Sequence, residues 1–104
     1  MQTIVRTWAA EASTANADVY VRHFHEAVLP ELADIPGHAG AYLLRRDVES
    51  HVELVVLTLW ESMDAIVRFA GNPPDGAVIT PAARAMLQRF DSTVRHFDVL
   101  HSPP

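Results

Sequence analysis

The segment His51–Trp60, HVELVVLTLW, is apolar in both phases of a β-strand. Successive strand side chains point to opposite faces, so Val52, Leu54, Val56 and Trp60 point one way and Val55, Leu57 and Leu59 the other. A sheet covered on one side only would carry polar groups at every second position. Here the polar residues are His51 and Glu53, beside a turn, and Thr58. Both faces of this sheet are therefore covered. A chain of 104 residues with two helical segments supplies material for one face. The other face calls for a partner, most simply a second copy.

The remaining elements fall into place around this strand. Thr3 to Glu11 reads as a first strand, with Ile4, Arg6, Trp8 and Ala10 on one face and Thr3, Val5, Thr7 and Ala9 on the other. Ser13 or Thr14 caps a long helix running to about Ala33. Its apolar positions Ala17, Tyr20, Val21, Phe24, Ala27, Val28 and Leu32 share one arc, with Arg22, His23 and Glu26 outside it. Pro30 interrupts or kinks the last turn. Pro36-Gly37 punctuates the chain before a second strand from about Ala39 to Asp47, and Val48 to Ser50 form a hairpin turn into HVELVVLTLW. Ser62 or Asp64 starts a short helix that packs through Ile66, Val67 and Phe69. Gly71-Asn72-Pro73-Pro74-Asp75-Gly76 is a breaker cluster and the expected mobile loop. A helix from Pro81 to Phe90 and a fourth strand from Thr93 to Leu100 complete the chain.

This order, β-α-β-β-α-β, is the split, ferredoxin-like α+β arrangement with a four-stranded antiparallel sheet. Both helical crossovers lie on one face of the sheet. The other face, expected to bear Trp8 and Val56, would be too large an apolar patch for a soluble monomer. Two sheets facing each other as a homodimer would cover it and enclose a cavity.

Composition narrows the function. The length fits a single domain over residues 1–104. No apolar run approaches the roughly 20 residues of a membrane span. The start, MQTIVRTWAAEA, lacks the pattern of a signal peptide, which points to the cytoplasm. Without cysteine there is no disulfide, thiolate nucleophile or zinc–sulfur site. Net charge −5 and a pI near 5.6 argue against a nucleic-acid partner.

The stretch LTLWESMDAIVRFAG, Leu57 to Gly71, resembles the antibiotic biosynthesis monooxygenase family, part of the dimeric α/β-barrel group. Pro36-Gly37-x-x-Gly40-x-Tyr42-Leu43-Leu44-Arg45-Arg46 and Val94-x-His96-Phe97-Asp98-Val99 are similar as well. The resemblance implies a cofactor-free enzyme that binds a polycyclic phenol or hydroquinone, deprotonates it, and lets the anion react with O2 to give a quinone. The haem-degrading branch implies an Asn on the first strand and a Trp and a His in the second helical region. The corresponding positions are Trp8, Phe69 and Ile79, and none matches. Ala77-Val78-Ile79-Thr80-Pro81-Ala82-Ala83, where the family pattern places aromatic and acidic groups, is nearly devoid of reactive side chains.

The chemistry must then come from His, Arg, Tyr, Trp and the acids. Among the six histidines, His23 and His25 stand about 200° apart on a helix and cannot share one metal ion. His51 lies in a charged hairpin end, and no metal site is expected. His96, on the strand beside the first and sharing a face with Asp98, is the candidate base, since a near-neutral imidazole suits removal of a phenolic proton. Its alternative reading is a structural histidine bonded to backbone. Arg6, in phase with Trp8, is the candidate cation for an enolate or peroxide anion, or else a salt-bridge partner at a dimer rim. Trp8 and Trp60 are candidates to stack on a planar ligand, or core residues. Tyr42 would offer a hydroxyl or close the barrel end. Whether His96 shares the face of Arg6 and Trp8 is open, because a one-residue slip in either strand reverses it.

Two readings lead, ahead of a third in which the same barrel cyclises or isomerises a polyketide-like substrate without oxygen. One is a cofactor-independent monooxygenase oxidising a phenolic or enolisable, polyketide-like substrate inside a dimer cavity. The other is a non-catalytic module, holding a small aromatic or apolar molecule or serving as a dimeric scaffold.

Overall fold

The computed structural model describes residues 3–104. Its central strand is β1 (Ile4–Ala12), which pairs antiparallel with β3 (His51–Trp60), from Ile4 opposite Trp60 to Ala12 opposite Val52. The far side of β3 pairs with β2 (His38–Val48), also antiparallel. Val48 lies opposite His51, so the hairpin turn is only Glu49-Ser50 and Val48 belongs to the strand. Along β3, buried and half-buried residues alternate without exception. The buried phase is Val52, Leu54, Val56, Thr58 and Trp60, and the helices cover it.

Ser13 starts the helical run, its Oγ accepting the Asn16 N–H at 3.1 Å. The run comprises α1 (Thr14–His23), a π-helical turn (Phe24–Val28) and α2 (Leu29–Ala33). The π turn answers two demands of the sequence. The apolar residues Tyr20, Phe24, Val28 and Leu32 recur every four positions, which in an α-helix drifts by about 40° per step. A wider turn takes up that drift and keeps Leu32 facing the sheet. Pro30 also lacks the N–H that would bond the Glu26 carbonyl, and its ring crowds that carbonyl. The expected interruption at Pro30 is thus met just upstream, and the helix continues to Ala33.

Tyr20 and Phe24 pack on Val52, Leu54 and Val56. Leu32 packs with Trp60, Ala65 and Ile66, the last two from α3 (Met63–Ala70), which Ser62 caps. Burial of a side chain such as Phe24, Leu54 or Ile66 contributes about 1.5–3 kcal/mol. Gly37, with φ +89°, lets β2 begin against α3, where an added Cβ would collide with the Ala65 Cβ.

The C-terminal third departs from expectation. The helix expected over Pro81 to Phe90 is α4 (Pro81–Met86); Leu87 turns extended, and Arg89–Phe90 forms a short strand, β4, opposite Ala10 and Glu11. The fourth strand narrows to β5 (Arg95–Asp98), opposite Ile4 to Thr7. The fourth position of the sheet is therefore filled by two short pieces. In the gap between them Asp91 completes β1. Its carbonyl accepts the Trp8 Nε1–H at 2.8 Å and its Oδ2 accepts the Ala9 N–H at 3.2 Å.

Face assignment also changes. Trp8 and Val56, expected on the uncovered face, lie opposite each other on the helix-covered face, with the Tyr20 ring 6.2 Å above Trp8. The uncovered face instead presents Val5, Val55, Leu57 and Leu59, flanked by Tyr42, Leu44 and Phe97, which are 56%, 45% and 48% exposed. No helix among the described residues is long and apolar enough to cross a membrane.

Candidate functional site

A cavity of about 100 Å³ lies inside the single chain, between the sheet and the helices. The sheet contributes Arg6, Trp8, Val56 and Thr58; the helical run contributes Tyr20, His23, Phe24 and Val28; Val78, Ile79 and Thr80 form a side wall. Arg6 and Trp8, expected to face a space between two chains, instead line this one, because the phase of β1 turns them toward the helices. An apolar cavity of roughly 150 Å³ accepts benzene, so this one holds a compact group.

Arg6 is the most constrained polar residue of the site, with 5% of its surface exposed. Its Nη1 donates to the Pro74 carbonyl at 2.7 Å and to His96 Nε2 at 3.0 Å, and its Nη2 donates to the Gly76 carbonyl at 2.8 Å. The guanidinium carbon also lies 5.6 Å from the centre of the Phe69 ring. Burial draws its pKa below the ordinary value, and Asp75 opposes the shift. A guanidinium remains charged regardless, so a cation sits at the cavity wall. The same side chain fastens the breaker loop. That loop, expected to be mobile, is tied down further by the Val94 N–H donating to the Asp75 carbonyl and the Ala77 N–H to Ser92.

His96 lies directly opposite Arg6 across the β1–β5 ladder, which resolves its face: it shares that of Arg6 and Trp8. It does not line the cavity. Arginine has no acceptor, so His96 Nε2 receives the bond and carries its proton on Nδ1. Burial, then the Arg6 charge, lowers its pKa, against a raising effect of Asp75. The ring is oriented by Arg6; among the described residues no hydrogen bond joins it to Asp98. In this arrangement the acceptor nitrogen of the expected base is occupied by the guanidinium.

The other candidates separate. Trp8 lines the cavity. Trp60 does not: it is wholly buried, its Nε1–H donates to Thr58 Oγ1 at 2.8 Å, and its ring stacks on Phe69 at 5.2 Å. Tyr42 lies opposite Leu57 on the uncovered face, on the far side of the sheet from the cavity. Neither Trp60 nor Tyr42 can touch a ligand held there.

Two polar groups of the cavity were not singled out from the sequence. Tyr20 is 4% exposed, and burial pushes its hydroxyl pKa up to about 12, so it remains a protonated phenol at neutral pH. His23 reaches the cavity with a buried Nε2 that has no hydrogen-bond partner among the described residues. It is the last residue before the π turn. On a regular wheel it falls on the flank of the apolar arc; the four-residue drift of that arc, together with Pro30, was the available signal that the wheel is not regular. Among the described residues no three His, Asp or Glu side chains converge as a metal site.

The topology and the cavity define a ferredoxin-like α+β domain with a ligand-sized space beneath its helices. The profile of the antibiotic biosynthesis monooxygenase family matches residues 2–79, and the chain belongs to that family. Its fold is similar to that of a Bacillus cereus protein described as a candidate antibiotic biosynthesis monooxygenase, with a TM-score of 0.67 and 16% identity over 100% of this chain and 99% of that one. It is also similar to the haem-degrading protein MhuD of Mycobacterium tuberculosis, solved with two haems in its active site, with a TM-score of 0.58 and 25% identity over 96% and 99% of the two chains. A third likeness is to the Streptomyces coelicolor ActVA-Orf6 monooxygenase in complex with Nanaomycin D, with a TM-score of 0.60 and 17% identity over 97% and 88%. Comparison with curated protein sequences finds no significant match.

Proposed function

We propose that this protein is a monooxygenase of the cofactor-independent kind, oxidising a small phenolic or enolisable molecule in the cavity between its sheet and helices. The observation that carries this reading is the buried Arg6 cation at the wall of a largely apolar cavity, beside the Trp8 indole. Such a cation favours the substrate anion over the neutral phenol, and a dry surrounding strengthens the effect. The anion then reduces O2 itself. One oxygen atom becomes the new carbonyl and the other leaves as water, so the substrate supplies all the electrons. Family membership supports the reaction class. Haem does not fit here: the macrocycle far exceeds a space of about 100 Å³, and no step is assigned to it.

A second reading, ligand binding without turnover, is favoured by the commitment of Arg6 to Pro74, Gly76 and His96. Oxygen-electrode measurements with a panel of phenols and hydroquinones separate the two. Protein-dependent oxygen uptake that forms one quinone and one water per O2, releases no peroxide and places one atom of labelled O2 in the quinone supports the monooxygenase. Saturable binding with no uptake for any member supports the binding module.

We also propose that a second copy covers the face carrying Val55, Leu57 and Leu59, giving a homodimer. An apolar surface of that extent on strands already apolar in both phases is the supporting observation.

A further inference from the structure

We infer that His23 is the residue that reads the ligand's hydroxyl, and that the cavity selects a compact, single-ring hydroxylated compound over fused-ring ones. The inference deepens the proposed function and rests on its cavity. Three observations lead to it. The Nε2 of His23 is buried and unpartnered among the described residues, while its ring belongs to the cavity wall. A buried nitrogen of this kind loses its water without gaining a replacement, a deficit that a ligand hydroxyl would remove. The π turn that begins at the next residue fixes the backbone here, and such turns recur at functional sites.

The other polar groups at the wall are less available. Arg6 is committed to the loop and to His96, and Thr58 Oγ1 accepts the Trp60 indole N–H. His23, with the Tyr20 ring centre 6.1 Å from its own, is left to orient a polar head. Its Nε2 accepts from a ligand O–H when the ring proton is on Nδ1, and donates to the ligand oxygen in the other tautomer. Size supplies the second half of the inference. A space of about 100 Å³ is close to what one ring requires after small side-chain adjustments. A second ring would have to displace Val78 and Ile79, and the segment preceding them is bound by Arg6.

The test uses the intact protein and four probes: phenol, benzene, 1-naphthol and 9-anthrol. Affinities come from calorimetry under anaerobic conditions, and imidazole nitrogen shifts from NMR. Phenol is expected to bind about tenfold more tightly than benzene, the effect of one net hydrogen bond, and more tightly than either fused-ring phenol. Phenol should also move the His23 Nε2 resonance. In His23→Phe the preference for phenol over benzene should vanish, and His23→Gln should restore part of it. Thermal melts establish that both variants fold. Undiminished preference in folded His23→Phe, a still His23 resonance, no binding of phenol, or tighter binding of 9-anthrol would each overturn the inference. Failure of the monooxygenase reading looks different: phenol binds through His23, but no substrate consumes oxygen.

Discussion

Arg6 Nη1 lies 3.0 Å from His96 Nε2, a cation and an imidazole joined across two neighbouring strands. The pair is stable only while the imidazole is neutral, because protonation would remove its acceptor and set two like charges together. The folded-state pKa of His96 is accordingly lowered, by burial first and by Arg6 second. Proton uptake by His96 therefore favours the unfolded chain. The stabilisation is complete above the unfolded histidine pKa of about 6.5 and is lost as pH falls from there through the lower folded value. His38, also lowered by burial, acts in the same direction. Melting temperatures measured between pH 7.5 and 5 should fall on acidification, and His96→Gln should flatten the curve without abolishing the His38 contribution.

Arg6→Met should detach the loop. The carbonyls of Pro74 and Gly76 lose their donor together with the ion–dipole bonds, a cost of roughly 3 kcal/mol. Urea denaturation reads that loss. Hydrogen exchange gives the local signature: faster exchange at the Ala77 and Val94 amides, which close the loop against Ser92 and Asp75, with little change in β3. Arg6→Lys should recover only part of the protection, since one ammonium cannot span both carbonyls and His96 in the same plane.

The two tryptophans should respond differently to a ligand. Trp8 lines the cavity and Trp60 is sealed in the core. Phenol binding should change the emission of the wild-type protein and of Trp60→Phe, and leave Trp8→Phe nearly unchanged. Trp60→Ala should cost about 3–5 kcal/mol from lost packing, seen as a large drop in urea midpoint.

Gly37→Ala places a methyl group into the Ala65 side chain at a backbone φ of +89°. Both effects destabilise, together by about 2–4 kcal/mol. The doubly substituted protein with Ala65→Gly should regain the steric part and retain the conformational part, a split readable from thermal melts.

Leu57→Glu places a charge in the middle of the uncovered face, opposite Tyr42 and Thr7. Light scattering should report twice the chain mass for the wild-type protein and a single chain for the variant. A wild-type protein that stays monomeric at high concentration would sink the homodimer.

The alternation within HVELVVLTLW made the topology and the β1–β3–β2 part of the sheet legible, because a two-sided apolar strand has few structural solutions. Its limits follow from what alternation leaves out. It cannot say which phase meets the helices, and Trp8 and Val56 were assigned to the wrong side for that reason. The β4–β5 edge escaped because Arg89-Phe90 has two residues and draws its structure from the backbone of β1 rather than from its own pattern. His96 was legible as a neighbour of β1 but not as an acceptor bound to Arg6, since register decides that contact. His23 was hidden because a helical wheel puts it just outside the apolar arc. It precedes the π turn, three residues after Tyr20, and a wheel does not show that the cavity extends to that flank.

The divided edge of the sheet has a consequence for how these chains behave when crowded. A strand added from another molecule needs a straight row of free amides and carbonyls. The break at Asp91 between β4 and β5 denies such a row on one side. The opposite border, β2, runs for 11 residues and is regular beyond an irregularity between His38 and Gly40, and there Arg45, Arg46 and Asp47 stand as charges that a stacking neighbour would have to bury. Fibrillar growth is thus obstructed by geometry at one border and by electrostatics at the other.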